Sequence, residues 1–395
     1  MSNDHDVVIL SGVRTAIGDF GGSLKDISPT QLAATVVQEV VARSGASPED
    51  FGHCVFGNVV HTEPKDMYLS RVAALNGGLP QSTPALTLNR LCGSGLQAIV
   101  SAVQQIETGT CNAAVAGGAE NMSRVPYWAP AVRFGQKMGD AKLIDAMVGA
   151  LSDPFDECHM GITAENIAEQ WQISREQQDE LAVESHQRAQ RALDAGYFKE
   201  QIVPISIKKR RETLEFIVDE HVRGDVDKAS MAKLRPAFKK DGSVTAGNSS
   251  GINDAAAAVT LMRRDIAIEK GLTPRARIVG YAFAGVDPKI MGIGPVPAVR
   301  TLLANTGIAI DDIDVFEVNE AFAAQALAVV RDLGLPMDKT NPNGSGVSLG
   351  HPIGATGCIL TVKALYELER INGRYGLITM CIGGGQGIAA LIERE

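Results

Sequence analysis

The chain has 395 residues, 45% hydrophobic and 21% charged, and a formal net charge of −9 at pH 7. This is the balance of a soluble globular protein, long enough for two or three domains. With no basic face forecast it argues against nucleic acid as a partner, and no apolar run approaches the roughly 20 residues of a membrane span. Six cysteines (Cys54, Cys92, Cys111, Cys158, Cys358 and Cys381) are widely spaced and form no C-x-x-C element. Neither a structural zinc site nor a secreted disulfide framework is expected, and a reducing cytoplasm fits better. The polar start, Met1 to Asp6, resembles no signal or transit peptide, and Ile392 to Glu395 carries no address motif.

Along the chain, short β-branched runs alternate with helical stretches. Val7 to Leu10 reads as a first strand. Ser28-Pro29-Thr30-Gln31 forms a capping box with Pro at the first helical position. Leu32, Val36, Val37, Val40 and Val41 follow at helical spacing. Val55-Phe56 opens a strand before Gly57. Cys92, in Asn89-Arg90-Leu91-Cys92-Gly93-Ser94-Gly95, precedes a helix with Leu96, Ile99, Val100, Val103 and Ile106 on one face. The short strand Ala113 to Ala116 ends at Gly117-Gly118.

Residues 122–248 differ in character. They are richer in charge, with the basic run Lys208 to Arg211, which reads as a solvated loop. They also hold a capped helix beginning at Ser174, with Gln177 at the capping-box position. This stretch reads as an insertion carrying binding surface. Farther on, the strand Val315 to Val318 leads to Asn319. A helix from about Gly357 to Leu368 and a strand Leu377 to Met380 then end at Cys381-Ile382-Gly383-Gly384-Gly385. That helix, strand and glycine turn repeat the order of Gly95 to Gly118, so an α/β unit is read as duplicated. The alternative is coincidence in a glycine-rich α/β chain.

Four positions carry the chemistry. An isolated cysteine is ordinarily a small buried hydrophobe, but Cys92 lies at a helix start, where the dipole and free N–H groups favour thiolate and lower the thiol pKa. His351, held between Gly350 and Pro352, is either a satisfied core imidazole or the base that activates that thiol. Cys381 is either a small residue closing a strand or, with a modestly lowered pKa, an acid/base at carbon. Asn319 is an N-cap, a holder of water or an oxyanion, or both. Of the other histidines, His186 falls in a polar helix and reads as solvated. No Walker motif or dinucleotide fingerprint is present, so no bound nicotinamide, ATP or other cofactor is expected.

Taken together, Cys92-Gly93-Ser94, Asn319-Glu320-Ala321-Phe322, Gly350-His351-Pro352 and Cys381-Ile382-Gly383, in this order, resemble the thiolase family. The likeness runs from Val13-Arg14-Thr15-Ala16-Ile17-Gly18 to the last strand and is nearest the short-chain bacterial acetyl-CoA acetyltransferases and β-ketothiolases of the polyhydroxyalkanoate type. The resemblance implies an α/β fold, a duplicated five-layer α-β-α-β-α core with an inserted loop domain, assembled as a homotetramer, a dimer of dimers. Its halves would be residues 1–121, completed by 249–271, and residues 272–395. The insertion, residues 122–248, would serve coenzyme A binding and oligomerisation.

By motif, Cys92 would be the acylated nucleophile and His351 its activator. Asn319 would position a water in one oxyanion hole, and Cys381 would move the proton at the α-carbon. The N–H groups of Cys92 and Gly383 would form the other oxyanion hole. His159 and Met160 resemble the pantetheine-contacting segment, and Ser250 would bind a pantetheine amide. Leu151, Phe238, Met291 and Phe322 would line the tunnel, and Arg223 would lie near the adenine. The resemblance implies coenzyme A thioesters as substrates, no metal, and CoA-dependent cleavage of short-chain 3-ketoacyl-CoA, fatty-acid chemistry that runs in either direction. A ketoacyl-synthase-like condensing enzyme, a Cys–His acyl hydrolase and a non-catalytic scaffold of the same fold remain the alternatives.

Overall fold

The computed structural model describes residues 4–209 and 212–395. Met1 to Asn3, and Arg210 and Arg211 of the basic run, lie outside them. Lys208 sits on a hairpin strand, Ile205–Lys209, paired with Glu212–Phe216.

The first principal strand, β1, is Val7–Thr15. It runs past the expected Leu10 because its polar residues find partners inside the protein. The Ser11 hydroxyl donates to Val40 O at 2.6 Å, and Arg14 makes two bonds to Asp219 at 2.7 and 2.9 Å. Helix α1, Pro29–Ser44, starts at the capping box read from the sequence: Ser28 Oγ accepts from Gln31 N and Gln31 Oε1 accepts from Ser28 N. Gly45, at φ 73°, ends the helix in the left-handed conformation that costs glycine little. Strands β2 (His53–Gly57) and β3 (Ala85–Leu88), helix α2 (Ser94–Glu107) and strand β4 (Ala113–Asn121) follow. The polar stretch between β4 and β5 contains α3 (Met160–Gln170) and α4 (Arg175–Asp194), the latter capped by Ser174 and Gln177. Strand β5 is Asn253–Arg263.

The C-terminal part comprises β6 (Ala276–Gly285), α5 (Pro295–Thr306), β7 (Val315–Val318), α6 (Ala323–Leu333), α7 (Thr356–Ile371), β8 (Tyr375–Ile382) and β9 (Gln386–Arg394). The eleven-stranded sheet has the principal order β7-β8-β9-β6-β1-β5-β4-β2-β3. Its two halves repeat one pattern. β2 and β4 are parallel, and β4–β5 and β5–β1 are antiparallel. Likewise β7 and β8 are parallel, and β8–β9 and β9–β6 are antiparallel. Among the described residues, only Val8↔Arg277 and Ile9↔Ala276 join the halves at β1–β6.

Helices α2 and α7 pack on each other and reach strands of both halves, while α1 covers β1 and β5, and α5 covers β6 and β9. The result is the five-layer α-β-α-β-α core. As the central layer, α7 is buried from Thr356 to Leu365, which is why it reads as apolar nearly all round rather than amphipathic. Among the described residues no helix is long and apolar enough to cross a membrane.

Candidate active site

The turn before α2 presents Cys92. Leu91 holds φ 45°, an uncommon value for a non-glycine residue, and Ser94 fastens the turn: its hydroxyl accepts from Arg90 N at 2.8 Å and donates to Leu91 O at 2.7 Å. At Gly93 a Cβ would come within 2.6 Å of Ile382 Cδ1, so the cysteine turn lies directly on the end of β8. The N–H groups of Gly383 and of Cys92 itself are turned toward the Cys92 sulfur.

Cys381 is the penultimate residue of β8 rather than part of the glycine turn that follows, and it is fully buried. Cys92, His351, Cys381 and Gly383 all line one narrow cavity of about 50 Å³. Both thiols are shifted away from the thiolate, contrary to the lowered pKa expected of each. Burial pushes Cys92 up to about 11, with Glu120 adding to the effect, and pushes Cys381 up further, with Cys92 adding. For Cys92, desolvation of the charged form outweighs the lowering by the N–H groups of Gly383 and of Cys92 itself.

His351 is buried, and that burial lowers its pKa to about 4, so it rests as neutral imidazole. Its backbone N–H donates to Asn253 Oδ1 at 3.0 Å. The ring Nδ1 lies 2.7 Å from Thr356 Oγ1, and that hydroxyl donates to Pro352 O at 3.0 Å. With its proton spent on Pro352, Thr356 accepts from Nδ1–H, which leaves the lone pair on Nε2. Nε2 is 3.4 Å from Asn319 Nδ2. Asn319 is not a helix cap, because α6 begins only at Ala323 with Phe322 in the cap position. Its Oδ1 is buried without a partner, a demand that a water molecule would meet. Thr356 escaped sequence reading; its only signal is a hydroxyl at the start of an apolar helix, five residues after the histidine.

Leu151, His159, Met160, Ser250, Met291 and Phe322 line the same cavity as the thiols. His159 caps α3, its Nδ1 accepting from Gly161 N at 3.0 Å. Phe238 stands behind this wall, stacked on His159 at 4.7 Å between centroids and edge-on to Phe322 at 6.1 Å. Arg223 is elsewhere, on a second cavity of about 310 Å³ shared with His186, His221, Met231, Leu234 and Gly247. His186 is not solvated as the sequence reading held. It is 4% exposed, its Nδ1 accepts from Arg223 N at 3.1 Å, and burial lowers its pKa to about 4. The polar face of α4 is covered there by the segment carrying His221 and Arg223.

The chain matches two family models in succession: thiolase, N-terminal domain, over residues 7–265, and thiolase, C-terminal domain, over residues 272–394. It belongs to the thiolase family. Among its relatives, beta-ketothiolase BktB of Cupriavidus necator is 63% identical over 391 residues, covering 99% of both chains. An acetyl-CoA acetyltransferase of Chromobacterium violaceum is 48% identical, covering 98% of this chain and all of that one. In three dimensions the fold is similar to the Bacillus anthracis acetyl-CoA acetyltransferase, with TM-score 0.97 and 48% identity over 99% of each chain. It is also similar to human mitochondrial 3-ketoacyl-CoA thiolase in complex with CoA, with TM-score 0.96 and 44% identity over 100% and 99% of the two chains.

Proposed function

We propose that this chain is a thiolase, an acyltransferase that cleaves short-chain 3-ketoacyl-CoA with free coenzyme A, and that Cys92, His351, Asn319, Cys381 and Gly383 carry the reaction. The observation behind this reading is that two thiols and a neutral imidazole face one cavity, with two N–H groups aimed at one of the sulfurs. A hydrolase or a ketoacyl-synthase-like enzyme has no use for the second thiol, and the relatives named above favour neither alternative nor a scaffold.

In cleavage, His351 Nε2 takes the Cys92 proton as the sulfur adds to the 3-keto carbon. The keto oxygen, now negative, is met by imidazolium N–H and by a water held on Asn319. The C2–C3 bond breaks, and its electron pair leaves as the enolate of acetyl-CoA. The Cys381 thiol protonates that carbon and is left as thiolate. The acyl group stays on Cys92, its carbonyl oxygen facing the N–H groups of Cys92 and Gly383. Coenzyme A then gives its thiol proton to Cys381 and attacks the acyl carbon. The departing Cys92 sulfur recovers its proton from His351. This is two-step covalent catalysis, and condensation is the same path reversed. The high thiol pKa values suit it, because Cys381 must hold a proton until a carbanion appears.

We further propose that the wall of Leu151, His159, Met160, Ser250, Met291 and Phe322, stiffened by Phe238, seats the pantetheine arm, and that the Arg223 cavity seats the adenine end. The narrowness of the thiol cavity supports a short acyl group. Residues 122–248 are assigned to coenzyme A binding and to assembly of a homotetramer, and the six unpaired cysteines accord with a cytoplasmic location. The test is acetoacetyl-CoA with and without coenzyme A. CoA-dependent formation of acetyl-CoA is expected, and release of free acid without CoA would overturn the reading. Cys92→Ala should abolish acyl labelling, whereas Cys381→Ala should retain acylation yet lose carbon–carbon chemistry.

A further inference from the structure

Glu120, near the end of β4, is wholly buried, and no cation contacts it among its recorded bonds. Four N–H groups close over its two oxygens. Val59 N and Gly354 N each donate to Oε2 at 2.9 Å, while Val60 N and Asn58 Nδ2 donate to Oε1 at 3.1 and 3.2 Å. Gly354 ends the turn that begins at Gly350-His351, so this carboxylate ties the histidine turn of one half to the core of the other. The fit is tight. A Cβ on Gly354 would stand 2.3 Å from Glu120 Oε2, and one on Gly118 would stand 2.0 Å from Gly354 O. On its other side the same segment meets the helix that follows Cys92: a Cβ on Gly95 would be 3.0 Å from Ala355 O and 2.8 Å from Cys358 N.

Strand register gives the position a second meaning. Gly57 pairs with Gly118 where β2 ends, and Val318 pairs with Thr379 where β7 ends. Counting one and two residues on, Asn58 and Glu120 in the first half stand where Asn319 and Cys381 stand in the second. The catalytic pair faces the cysteine turn of the opposite half, and the Asn58–Glu120 pair grips the histidine turn of the opposite half.

We propose that Glu120 is a positioning residue for the thiolase reaction, its carboxylate fixing the Gly350–Gly354 turn, and with it His351, against the helix that follows Cys92. The proposal rests on the thiolase reading above. Burial pushes the carboxyl up to about 8 against the pull of its N–H donors, and Asp66, on the short helix Pro64–Tyr68, also raises it, so the group is fully charged only above that pH, where the variants' kinetics are compared and where Cys92, which feels that charge, ionises.

Three quantities test this in Glu120→Gln and Glu120→Asp: kcat for thiolysis, KM for coenzyme A, and the pH midpoint of Cys92 alkylation followed by mass spectrometry of its peptide. In Glu120→Gln the amide NH₂ faces two of the four donors and the charge is gone. We expect kcat to fall at least tenfold, KM to stay within twofold, and the alkylation midpoint to move to lower pH. In Glu120→Asp the charge stays but the reach shortens, so kcat should fall while the midpoint holds. A kcat within twofold of wild type in either variant overturns the proposal, as does a loss in which KM rises in step and the midpoint does not move in Glu120→Gln. If Glu120→Gln does not fold, kcat and KM of Glu120→Asp decide. A wild-type protein without CoA-dependent cleavage would instead overturn the thiolase reading itself.

Discussion

Thr356→Val isolates the group that sets the His351 tautomer. Valine keeps the shape of threonine and removes the oxygen that accepts from Nδ1 at 2.7 Å. The buried Nδ1–H then has no partner, which costs about 1–3 kcal/mol. The ring escapes that cost only by moving its proton to Nε2, and there it can no longer accept the Cys92 proton. At about 1.36 kcal/mol per tenfold, kcat for acetoacetyl-CoA thiolysis should fall about 5- to 150-fold. KM for coenzyme A should hold, because Thr356 lines neither cavity. Thr361→Val is the control: it lies on the same helix, equally buried, but its hydroxyl bonds only Gly357 O. Steady-state kinetics with ¹⁵N spectra of the imidazole would decide. A Thr356→Val enzyme with kcat within twofold of wild type, or one whose His351 still carries its proton on Nδ1, refutes the reasoning.

Three other outcomes are expected. Because burial raises the Cys92 thiol to about 11, its alkylation by iodoacetamide should climb about tenfold per pH unit from 7 toward that value; a midpoint below 8 would contradict the site described. Asp219→Ala strips the partner from Arg14, both side chains being fully buried, and also the acceptor of Ile17 N at 2.8 Å. An uncompensated buried charge of this kind costs about 3–5 kcal/mol, read by denaturant unfolding, and a loss under 1 kcal/mol would contradict it. Arg223→Ala should raise KM for coenzyme A about tenfold, a loss of about 1.4 kcal/mol of binding, with kcat kept and KM for pantetheine unchanged; an equal rise for pantetheine would remove Arg223 from the nucleotide end.

The reach of sequence reading differs from place to place for physical reasons. The start of α1 was legible because a capping box is a local contract among Ser28, Pro29 and Gln31. The length of β1 was not, because Ser11 and Arg14 look like surface residues until Val40 O and Asp219 are brought to them from 29 and 205 positions away. Cys92, His351 and Cys381 stood out through their glycine settings, and the fold places all three on one cavity. The ionisation of the two thiols is misread, because a helix start is visible in a sequence and depth is not. His186 failed for the same reason: the composition of its own helix says nothing of the segment at His221 and Arg223 that covers it. Thr356 acts through a ring five residues away and carries no motif.

On the proposed thiolase reading, the duplication accounts for why only one of two similar strand ends is assigned chemistry. After β8 the chain reverses at once through Gly383, Gly384 and Gly385, the last two at φ 80° and 83°. So short a turn leaves the Gly383 N–H free to face the Cys92 sulfur, and it leaves Cys381 with no carbonyl or carboxylate to bind. After β4 the chain instead enters the long insertion, and its strand end is spent on structure. Asn121 Nδ2 donates to Leu24 O and Ile27 O at 2.9 and 2.7 Å, its Oδ1 takes Arg124 N at 3.1 Å, and Glu120 takes four N–H groups. A thiol in place of Glu120 would leave Val59 N, Val60 N, Gly354 N and Asn58 Nδ2 without their acceptor. In the proposed mechanism, the half with the long connection after β4 would therefore contribute the nucleophile turn and the grip on the histidine, while the half with the tight glycine turn would contribute the acid, the amide and the oxyanion N–H.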